Sequence, residues 1–318
     1  MRIGPSALVF GFFFPAALPA ADLPPPGSLD DLTLEATIPV SGNVVAFGFD
    51  SLWMASGPQL VRVDAVDNAA IVIPLPGAQG HTRALATGEG GVWVASADAE
   101  LVYKVDPASN AVLLTLPVYM VDPDGSLGVG HGSLWIMTRG EGERLEKTLA
   151  RFDAATGAVQ AQIPLPAVGA GVVASGGFVW VTSPFKGQLF KIDPATDTVA
   201  AVIDLGGSPY YIAAGEGSLW IATNQDPIVV QRVDPATGAL LATIPVGKPV
   251  KMGNDIDVGG GFVWMSGIGL PLQQIDPATN SLIARIPAPA SVGWLRYGNG
   301  SVWLSGNVLS RFSLPVPQ

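Results

Sequence analysis

The sequence contains no cysteine, few charged residues and only two histidines. Without cysteine the chain has no disulfide, no thiolate metal site and no cysteine nucleophile. Charged residues make up 13% of its 318 residues, about half the share usual in soluble proteins. Hydrophobic residues make up 48%, which predicts a large core and argues against intrinsic disorder.

Basic residues are scarcer than acidic ones. The 16 lysines and arginines stand against 26 aspartates and glutamates, giving a formal net charge of −10. Nucleic-acid binding depends on basic side chains that neutralise phosphates, and no basic cluster occurs. We therefore expect no nucleic-acid partner. No apolar run after residue 21 is long enough to cross a bilayer, so we expect no membrane span.

The N-terminus has the order of a secretory signal. Arg2 precedes an apolar run over residues 7–14, and small residues and prolines follow as far as Ala21. This order predicts a cleaved signal peptide over 1–21, a Pro-rich linker over 22–31 and a periplasmic or secreted protein. The alternative, a membrane anchor, is disfavoured because Pro15 and Pro19 interrupt the apolar run.

A short apolar segment centred on tryptophan recurs along the rest of the chain. The spacings between successive tryptophans are 40, 42, 45, 40, 44 and 39 residues. Repeats of this length are typical of the four-stranded blades of β-propellers. The repeated tryptophans are Trp53, Trp93, Trp135, Trp180, Trp220, Trp264 and Trp303.

Two further elements share this period. One is an Asp-Pro turn, as in Val-Asp-Pro-Ala-Thr-Gly at 233–238, and the other is a strand ending in Ile-Pro or Leu-Pro, as at Ile244. Proline removes a ladder donor and therefore belongs on an edge strand. Each unit thus has strand A, strand B with the tryptophan, strand C before the Asp-Pro turn, and strand D ending at proline.

The two ends of the chain hold complementary parts of one unit. Residues 34–40 offer a D strand alone, and residues 294–312 offer A, B and C strands. Pairing them leaves no open ring edge. The sequence therefore predicts an all-β fold, a seven-bladed β-propeller over residues 32–318, with antiparallel four-stranded blades and one N-terminal strand completing the last blade.

The repeated motifs resemble a known group of proteins. Asp-Pro-Ala-Thr-Gly (234–238), Ala-Thr-Ile-Pro-Val-Gly (242–247) and Gly-Ser-Leu-Trp-Ile-Ala-Thr (217–223) look like those of YVTN-type β-propellers and the neighbouring streptogramin lyase (virginiamycin B lyase) family. No Trp-Asp dipeptide occurs, which makes the chain less similar to WD40 propellers. The lyase resemblance implies catalysis by a His and Glu pair with a divalent cation.

The seven units serve as controls for one another. The residue seven positions before the tryptophan is small or aliphatic in five units, but the last two units carry Asp257 and Arg296. Strand A lines the central channel of a propeller, so both charges belong there. They either form a structural ion pair between blades 6 and 7 or provide a channel-floor site for a polar ligand.

The connections from D to A and from B to C are variable, and we name the rim they form the irregular rim. The opposite, regular rim carries the repetitive A-to-B and Asp-Pro turns. Binding residues concentrate on variable loops of a rigid scaffold, so we expect the ligand site on the irregular rim. Its candidate residues are Asn43, His81, Arg83, Tyr119, Arg139, Phe185, Tyr210, Tyr211, Asn224, Lys251, Asn254, Asp255, Asp257, Trp294 and Arg296.

The aromatic members of this set suit a small organic, sugar-like or peptide ligand; alternatively, Tyr210 and Trp294 only plug the channel. His81 is a candidate general base or a plain surface histidine, whereas His131 belongs to a turn of the regular rim. No second histidine and no glutamate is expected beside the channel mouth.

The oxygens of Asn254, Asp255 and Asp257 would suit Ca²⁺ or Mg²⁺, although no cofactor is expected. We therefore predict a monomeric exported scaffold that binds a small molecule or an exported protein partner without chemistry. The alternative is a streptogramin-lyase-like, metal-dependent lyase or hydrolase acting on a lactone or cyclic ester.

Overall fold

The strands predicted from the tryptophan repeats form seven separate sheets. The computed structural model describes residues 32–80, 82–119, 126–139, 147–248, 254–267, 270–286 and 293–314. Within these residues lie 28 β-strands and one short 3-10 helix, Ala97–Ala99. No helix among them combines the length and apolar character needed to cross a membrane.

Each sheet is one blade, and its strands are named here in the order A to D. Blade 1 has β2 (Val45–Gly48), β3 (Ser51–Ser56), β4 (Gln59–Asp64) and β5 (Ala70–Pro74); blade 2 has β6 (Thr82–Gly88), β7 (Gly91–Ser96), β8 (Leu101–Val105) and β9 (Val112–Pro117); blade 3 has β10 (Leu127–Gly130), β11 (Ser133–Thr138), β12 (Thr148–Asp153) and β13 (Val159–Pro164); blade 4 has β14 (Val172–Ser175), β15 (Phe178–Ser183), β16 (Gln188–Asp193) and β17 (Thr198–Asp204). Blade 5 has β18 (Pro209–Gly215), β19 (Ser218–Thr223), β20 (Ile228–Val233) and β21 (Leu240–Gly247); blade 6 has β22 (Asn254–Gly259), β23 (Phe262–Gly267), β24 (Leu272–Asp276) and β25 (Ser281–Ile286); blade 7 has β26 (Leu295–Gly298), β27 (Ser301–Leu304), β28 (Leu309–Ser313) and β1 (Thr33–Ile38).

The ring closes where the sequence predicts. Strand β1 pairs antiparallel with β28, in a register that runs from Thr33 opposite Ser313 to Ile38 opposite Leu309. The A strands contact one another in chain order, and β26 of blade 7 contacts β2 of blade 1. The fold is therefore a seven-bladed β-propeller, and the expectation of a shared seventh blade is confirmed.

Each repeated tryptophan is fully buried at the centre of its blade. Strand B lies between two strands of its own sheet and between two neighbouring blades, so both of its faces are apolar. The indole Nε1 donates to the carbonyl of the residue five positions earlier, at the end of strand A, over 3.0–3.3 Å in all seven blades. The buried indole donor is thereby satisfied.

A basic side chain covers the tryptophan in six blades, a feature that the sequence comparison did not single out. It stands on strand C opposite the tryptophan, as Arg232 does opposite Trp220, with its charged group 4.8–5.3 Å from a ring centroid. It also donates to a carbonyl in the C-to-D turn of the next blade, over 2.6–2.7 Å. These donor and acceptor pairs are Arg62 with Pro107, Lys104 with Ala154, Arg151 with Pro194, Lys191 with Ala236, Arg232 with Pro277, and Arg311 with Ala65.

Blade 6 departs from this pattern. Gln274, not a cation, occupies the position opposite Trp264. The next blade, blade 7, has no C-to-D turn that could accept a hydrogen bond from a cation, because its strands C and D come from opposite ends of the chain. On the other side of the seam, Arg311 Nε lies 2.7 Å from Glu35 Oε2, and Ser301 donates to the same oxygen over 2.8 Å. The N-terminal strand is thus held to blade 7 by an ion pair as well as by its ladder.

The first prediction concerns the contact between blades. Arg232→Gln should lower the free energy of unfolding by about 1–3 kcal/mol, because it removes a charged hydrogen bond and a cation over an indole. Urea unfolding measures the change. Lys186→Gln, at an exposed loop position, should stay within about 0.5 kcal/mol of the parent; equal effects of both substitutions would contradict the interpretation.

The second prediction concerns closure of the ring. Deleting residues 1–40 should abolish cooperative unfolding, because blade 7 then loses β1 and exposes the edge of β28. Deleting residues 1–31 should leave the transition in place. Circular dichroism during thermal unfolding compares the two proteins, and a cooperative transition in the longer deletion would show that the pairing with β28 is dispensable.

Candidate ligand site in the central channel

The inner strands surround two cavities that meet at Arg296. The mouth cavity, of about 80 Å³, lies at the irregular-rim end of strand A. The lower cavity, of about 320 Å³, extends towards the A-to-B turns of the regular rim. The lining of the mouth cavity is Val44, Leu85, Leu127, Gly171, Val172, Tyr211, Ile212, Asp255, Trp294 and Arg296.

The floor of the mouth cavity is an ion pair. Arg296 Nη1 lies 2.6 Å from Asp255 Oδ2, and the Asp255 side chain is only 5% exposed. One of the two alternatives from the sequence was an ion pair of Arg296 with Asp257. Arg296 does attract Asp257, but the carboxylate in direct contact with the guanidinium is Asp255, two residues earlier on the same face of β22. The predicted link between blades 6 and 7 is present, with a different acid.

Both aspartates also bind the backbone of the next blade. Asp255 Oδ2 accepts the N–H of Leu295 at 2.9 Å, and Asp257 Oδ2 accepts the N–H of Tyr297 at 2.7 Å. Strand β26 is the inner edge of blade 7, so no neighbouring strand supplies these acceptors. The carboxylates therefore take the place of strand carbonyls between β22 and β26.

Burial governs the protonation of these groups. It raises the pKa of Asp255 to about 6, although the Arg296 guanidinium and the Leu295 N–H favour the ionised form. Burial also raises the pKa of Asp257 against the attraction of Arg296. For Arg296, burial disfavours the charge, but the two carboxylates outweigh it and raise its pKa.

An aromatic group stands at the irregular-rim end of the channel. The rings of Tyr210 and Tyr211 have centroids 4.7 Å apart, and Tyr211 meets Trp294 edge to face at 6.0 Å. Tyr211 belongs to blade 5 and Trp294 to blade 7, so their contact crosses above blade 6. All three residues are half-buried. They narrow the mouth, and Tyr211 and Trp294 also line the cavity below it.

Three hydroxyl groups that sequence reasoning missed position this end of the channel. Thr182 donates to the carbonyl of Tyr210 at 2.7 Å, Ser266 to that of Gly293 at 2.7 Å, and Ser305 to that of Asn43 at 3.0 Å. Each stands two residues after a repeated tryptophan, where the other four blades carry Ala or Met. This difference between the blades could have identified the three hydroxyl residues from the sequence.

Two amide side chains bring acceptors to the junction of blades 5 and 6. Asn254 is 4% exposed and donates to the carbonyl of Thr223 at 3.3 Å. The Oδ1 atoms of Asn254 and Asn224 are buried and accept no hydrogen bond from the described residues. Buried acceptors of this kind call for a donor.

The remaining predicted residues lie outside both cavity linings or outside the described residues. Tyr119 and Phe185 are 66% and 80% exposed. The Arg139 guanidinium lies 5.9 Å from the Tyr119 ring and 3.6 Å from Glu100, which puts a glutamate on the irregular rim. Asn43 is exposed at the end of the channel. Residues His81 and Lys251, and the side chain of Arg83, lie outside the described residues.

The candidate metal ligands do not converge on a cation. Among the described residues, no group of three or more His, Asp or Glu side chains is placed to hold a metal ion. Asp255 uses Oδ1 for the N–H of Ile256, at 3.0 Å, and Oδ2 for Leu295 and Arg296. A guanidinium already occupies the position where a cation would bind, so these residues do not fit a Ca²⁺ or Mg²⁺ centre.

Comparisons with known proteins identify the fold. No protein-family model matches the chain, and no curated protein sequence does. The chain is similar to the solved structure of a streptogramin B lyase, at 16% identity and a TM-score of 0.70, over 89% of this chain and 97% of that one. The fold is that of lyase-like and WD40 propellers.

Two WD40 propellers are similar to the chain to nearly the same degree. The domain of Doa1 has 17% identity and a TM-score of 0.70, over 89% of this chain and 97% of that one. The Pan2 domain of Neurospora crassa has 12% identity and a TM-score of 0.65, over 88% and 90%. At such identities the likeness shows the fold alone, since one propeller fold hosts many activities.

The third prediction is a pH dependence set by Asp255. The pKa of this carboxyl is higher in the folded protein than in the unfolded chain. Its contribution to the free energy of unfolding is therefore fully present below about pH 4 and is lost as the pH rises through about 6. We expect the free energy of unfolding to fall by a few kcal/mol over this window. Asp255→Asn should reduce that fall, and Asp257, whose pKa burial also raises, should account for the remainder. Urea unfolding at successive pH values measures the change.

The same experiment contains its own controls. Turn hydrogen bonds lower the pKa values of Asp106, Asp153, Asp234 and Asp276, so these groups add stability with rising pH only below the window of Asp255. Asp204→Asn, at an exposed position on strand D of blade 4, should keep the parental profile. An unchanged profile in Asp255→Asn would assign the pH dependence elsewhere.

Proposed function

We propose that this chain is an exported propeller that binds a small ligand at the irregular-rim mouth of its channel, without chemistry. The observation that carries the proposal is the joint lining of the mouth cavity by Tyr211, Trp294 and the Asp255–Arg296 pair. Aromatic walls with a few fixed polar groups are the usual composition of small-molecule sites.

The mouth supports recognition of a ring that carries hydroxyl or N–H donors. The faces and edges of Tyr210, Tyr211 and Trp294 offer stacking surfaces. Outside the lining of the mouth cavity, at the junction of blades 5 and 6, the buried Oδ1 atoms of Asn224 and Asn254 lack a donor among the described residues. A volume of about 80 Å³ below the rings admits one small substituent of the ligand and not the whole ring. Sugars and aromatic amino acids meet these requirements.

The scaffold supports this use because it presents the mouth rigidly. Hydroxyl bonds from strand B of one blade hold the start of strand A of the next blade, at Tyr210, Gly293 and Asn43. A site whose backbone is fixed before binding loses little entropy on association. Export rests on the signal-type order of residues 1–21 and is tested by N-terminal sequencing of the mature protein.

A protein partner is the second candidate for the same rim. Tyr119 and Phe185 are large aromatic side chains exposed by more than half, and aromatic residues are enriched in interfaces. The lyase or hydrolase alternative receives less support, because the proposed metal ligands Asp255 and Asp257 bind Arg296 and the backbone of blade 7.

The fourth prediction tests the mouth site. In a thermal unfolding screen of monosaccharide glycosides and aromatic amino acids, at least one compound should raise the unfolding temperature. Saturation a hundredfold above Kd adds about 2.7 kcal/mol, or roughly 5–10 °C at this size. Tyr211→Leu and Trp294→Leu should each lose the shift, because each removes part of the aromatic wall.

Phe185→Leu is the matched control, since it removes an aromatic side chain from the same rim but outside the cavity. It should keep the full shift. Equal shifts in Trp294→Leu and Phe185→Leu would move the ligand away from the mouth, and loss of the shift in Phe185→Leu alone would favour the exposed rim.

A further inference from the structure

The lower cavity differs from the mouth cavity in size and wall. Its volume of about 320 Å³ falls at the lower end of the range for small-molecule sites. Small and aliphatic side chains of the inner strands, such as Ala86, Val129 and Ala214, form most of the wall. The surface that these residues expose to the cavity is nevertheless more polar than apolar, so the cavity offers hydrogen bonds as well as apolar contacts.

The lower cavity is reached from the regular rim, opposite the proposed mouth site. Its lining includes the residue six positions before the repeated tryptophan in every blade, from Phe47 in blade 1 to Tyr297 in blade 7. All seven of these residues are half-buried, because they face channel space, and the A-to-B turns follow directly. A ligand could therefore occupy this cavity independently of the mouth.

The charged groups at the inner end of this cavity do not balance. Arg296 lines both cavities and commits Nη1 to Asp255 at 2.6 Å. Asp257 lines the lower cavity and accepts the N–H of Tyr297. Among the described residues, no basic side chain lies within 4.0 Å of Asp257, since the ion pair of Arg296 is with Asp255. Two carboxylates thus share one guanidinium.

This imbalance selects the charge of a ligand. Arg296 attracts Asp257 as well as Asp255, but one guanidinium offsets only one of the two negative charges, and a bound cation would offset the other. A carboxylate ligand would be repelled by Asp257 and would compete with Asp255 for Arg296. Burial raises the pKa of Asp257, which agrees with a residual negative charge that the surroundings stabilise poorly. The net charge of −10 acts in the same direction.

We propose that the lower cavity binds a small alkylamine, with its ammonium group at Asp257 and its short alkyl chain beside the small and aliphatic side chains of the inner strands. The two cavities share Arg296 and four aliphatic lining residues, but the carboxylate used here, Asp257, lines the lower cavity and not the mouth cavity.

The fifth prediction uses three probes of equal length and different charge. Hexylamine, hexan-1-ol and hexanoate are titrated calorimetrically into the full chain at neutral pH and low salt. Hexylamine should bind roughly tenfold or more tightly than hexan-1-ol, a difference of one well-placed charge pair, and hexanoate should bind most weakly. Equal affinities for the three probes, or no binding of hexylamine, would overturn the proposal.

Substitution of Asp257 tests whether its carboxylate binds the ammonium group. Asp257→Asn keeps an acceptor for the Tyr297 N–H and should reduce hexylamine to the affinity of hexan-1-ol. Glu216→Gln is the matched control: it removes one negative charge from an exposed A-to-B turn of the same rim and should leave all affinities unchanged. Hexylamine affinity that survives Asp257→Asn would overturn the proposal.

A cavity-filling substitution supplies an independent readout. Ala214→Leu places a larger side chain in the wall and should weaken all three probes alike, whether or not Asp257→Asn folds. Full hexylamine affinity in Ala214→Leu would place the amine elsewhere and overturn the proposal. Trp294→Leu should leave hexylamine binding intact, which separates this cavity from the mouth.

Discussion

The contact on which the ring depends is the tryptophan of strand B with the cation that covers it. The indole fills the space between adjacent blades, and the cation both stacks on the ring and donates to a turn carbonyl of the next blade, as Arg232 does towards Pro277. One side chain therefore binds its own blade and its neighbour. Repeated around the ring, this contact sets the spacing of the blades and so the width of the channel.

The pattern fails only between blades 6 and 7, and the polar groups of the channel lie at the same junction. Gln274 replaces the cation on the outside of blade 6. On the inside, Asp255 and Asp257 bind the edge of β26 and the guanidinium of Arg296. Blades 6 and 7 are thus connected by the carboxylates of Asp255 and Asp257 on strand A, whereas the other junctions are connected by the cation on strand C. The charged groups that line the channel therefore also connect blade 6 to the blade that closes the ring.

The fold was predictable because it is periodic. Seven tryptophans at blade spacing, with a D strand at one end and A to C strands at the other, allow few arrangements. The direct contact of Arg296 with Asp255 was not predictable from the sequence. Both aspartates lie on the same face of β22 and both bind the backbone of β26, so the sequence does not say which of them the guanidinium contacts. Likewise, the cation on strand C shares the period of the tryptophan but varies in sequence distance from it, since the loop between strands B and C changes length.

The positions that depart from the repeat carry the argument about function. Residues shared by all blades serve the fold, which the chain has in common with streptogramin B lyase and WD40 propellers, and for that reason they say nothing about a ligand. The departures gather on the inner strands of blades 5 to 7, at Tyr211, Asp255, Asp257, Trp294 and Arg296. Arg296 contacts Asp255 directly and attracts Asp257 from beyond ion-pair distance, so the two cavities differ in their charged groups as well as in volume.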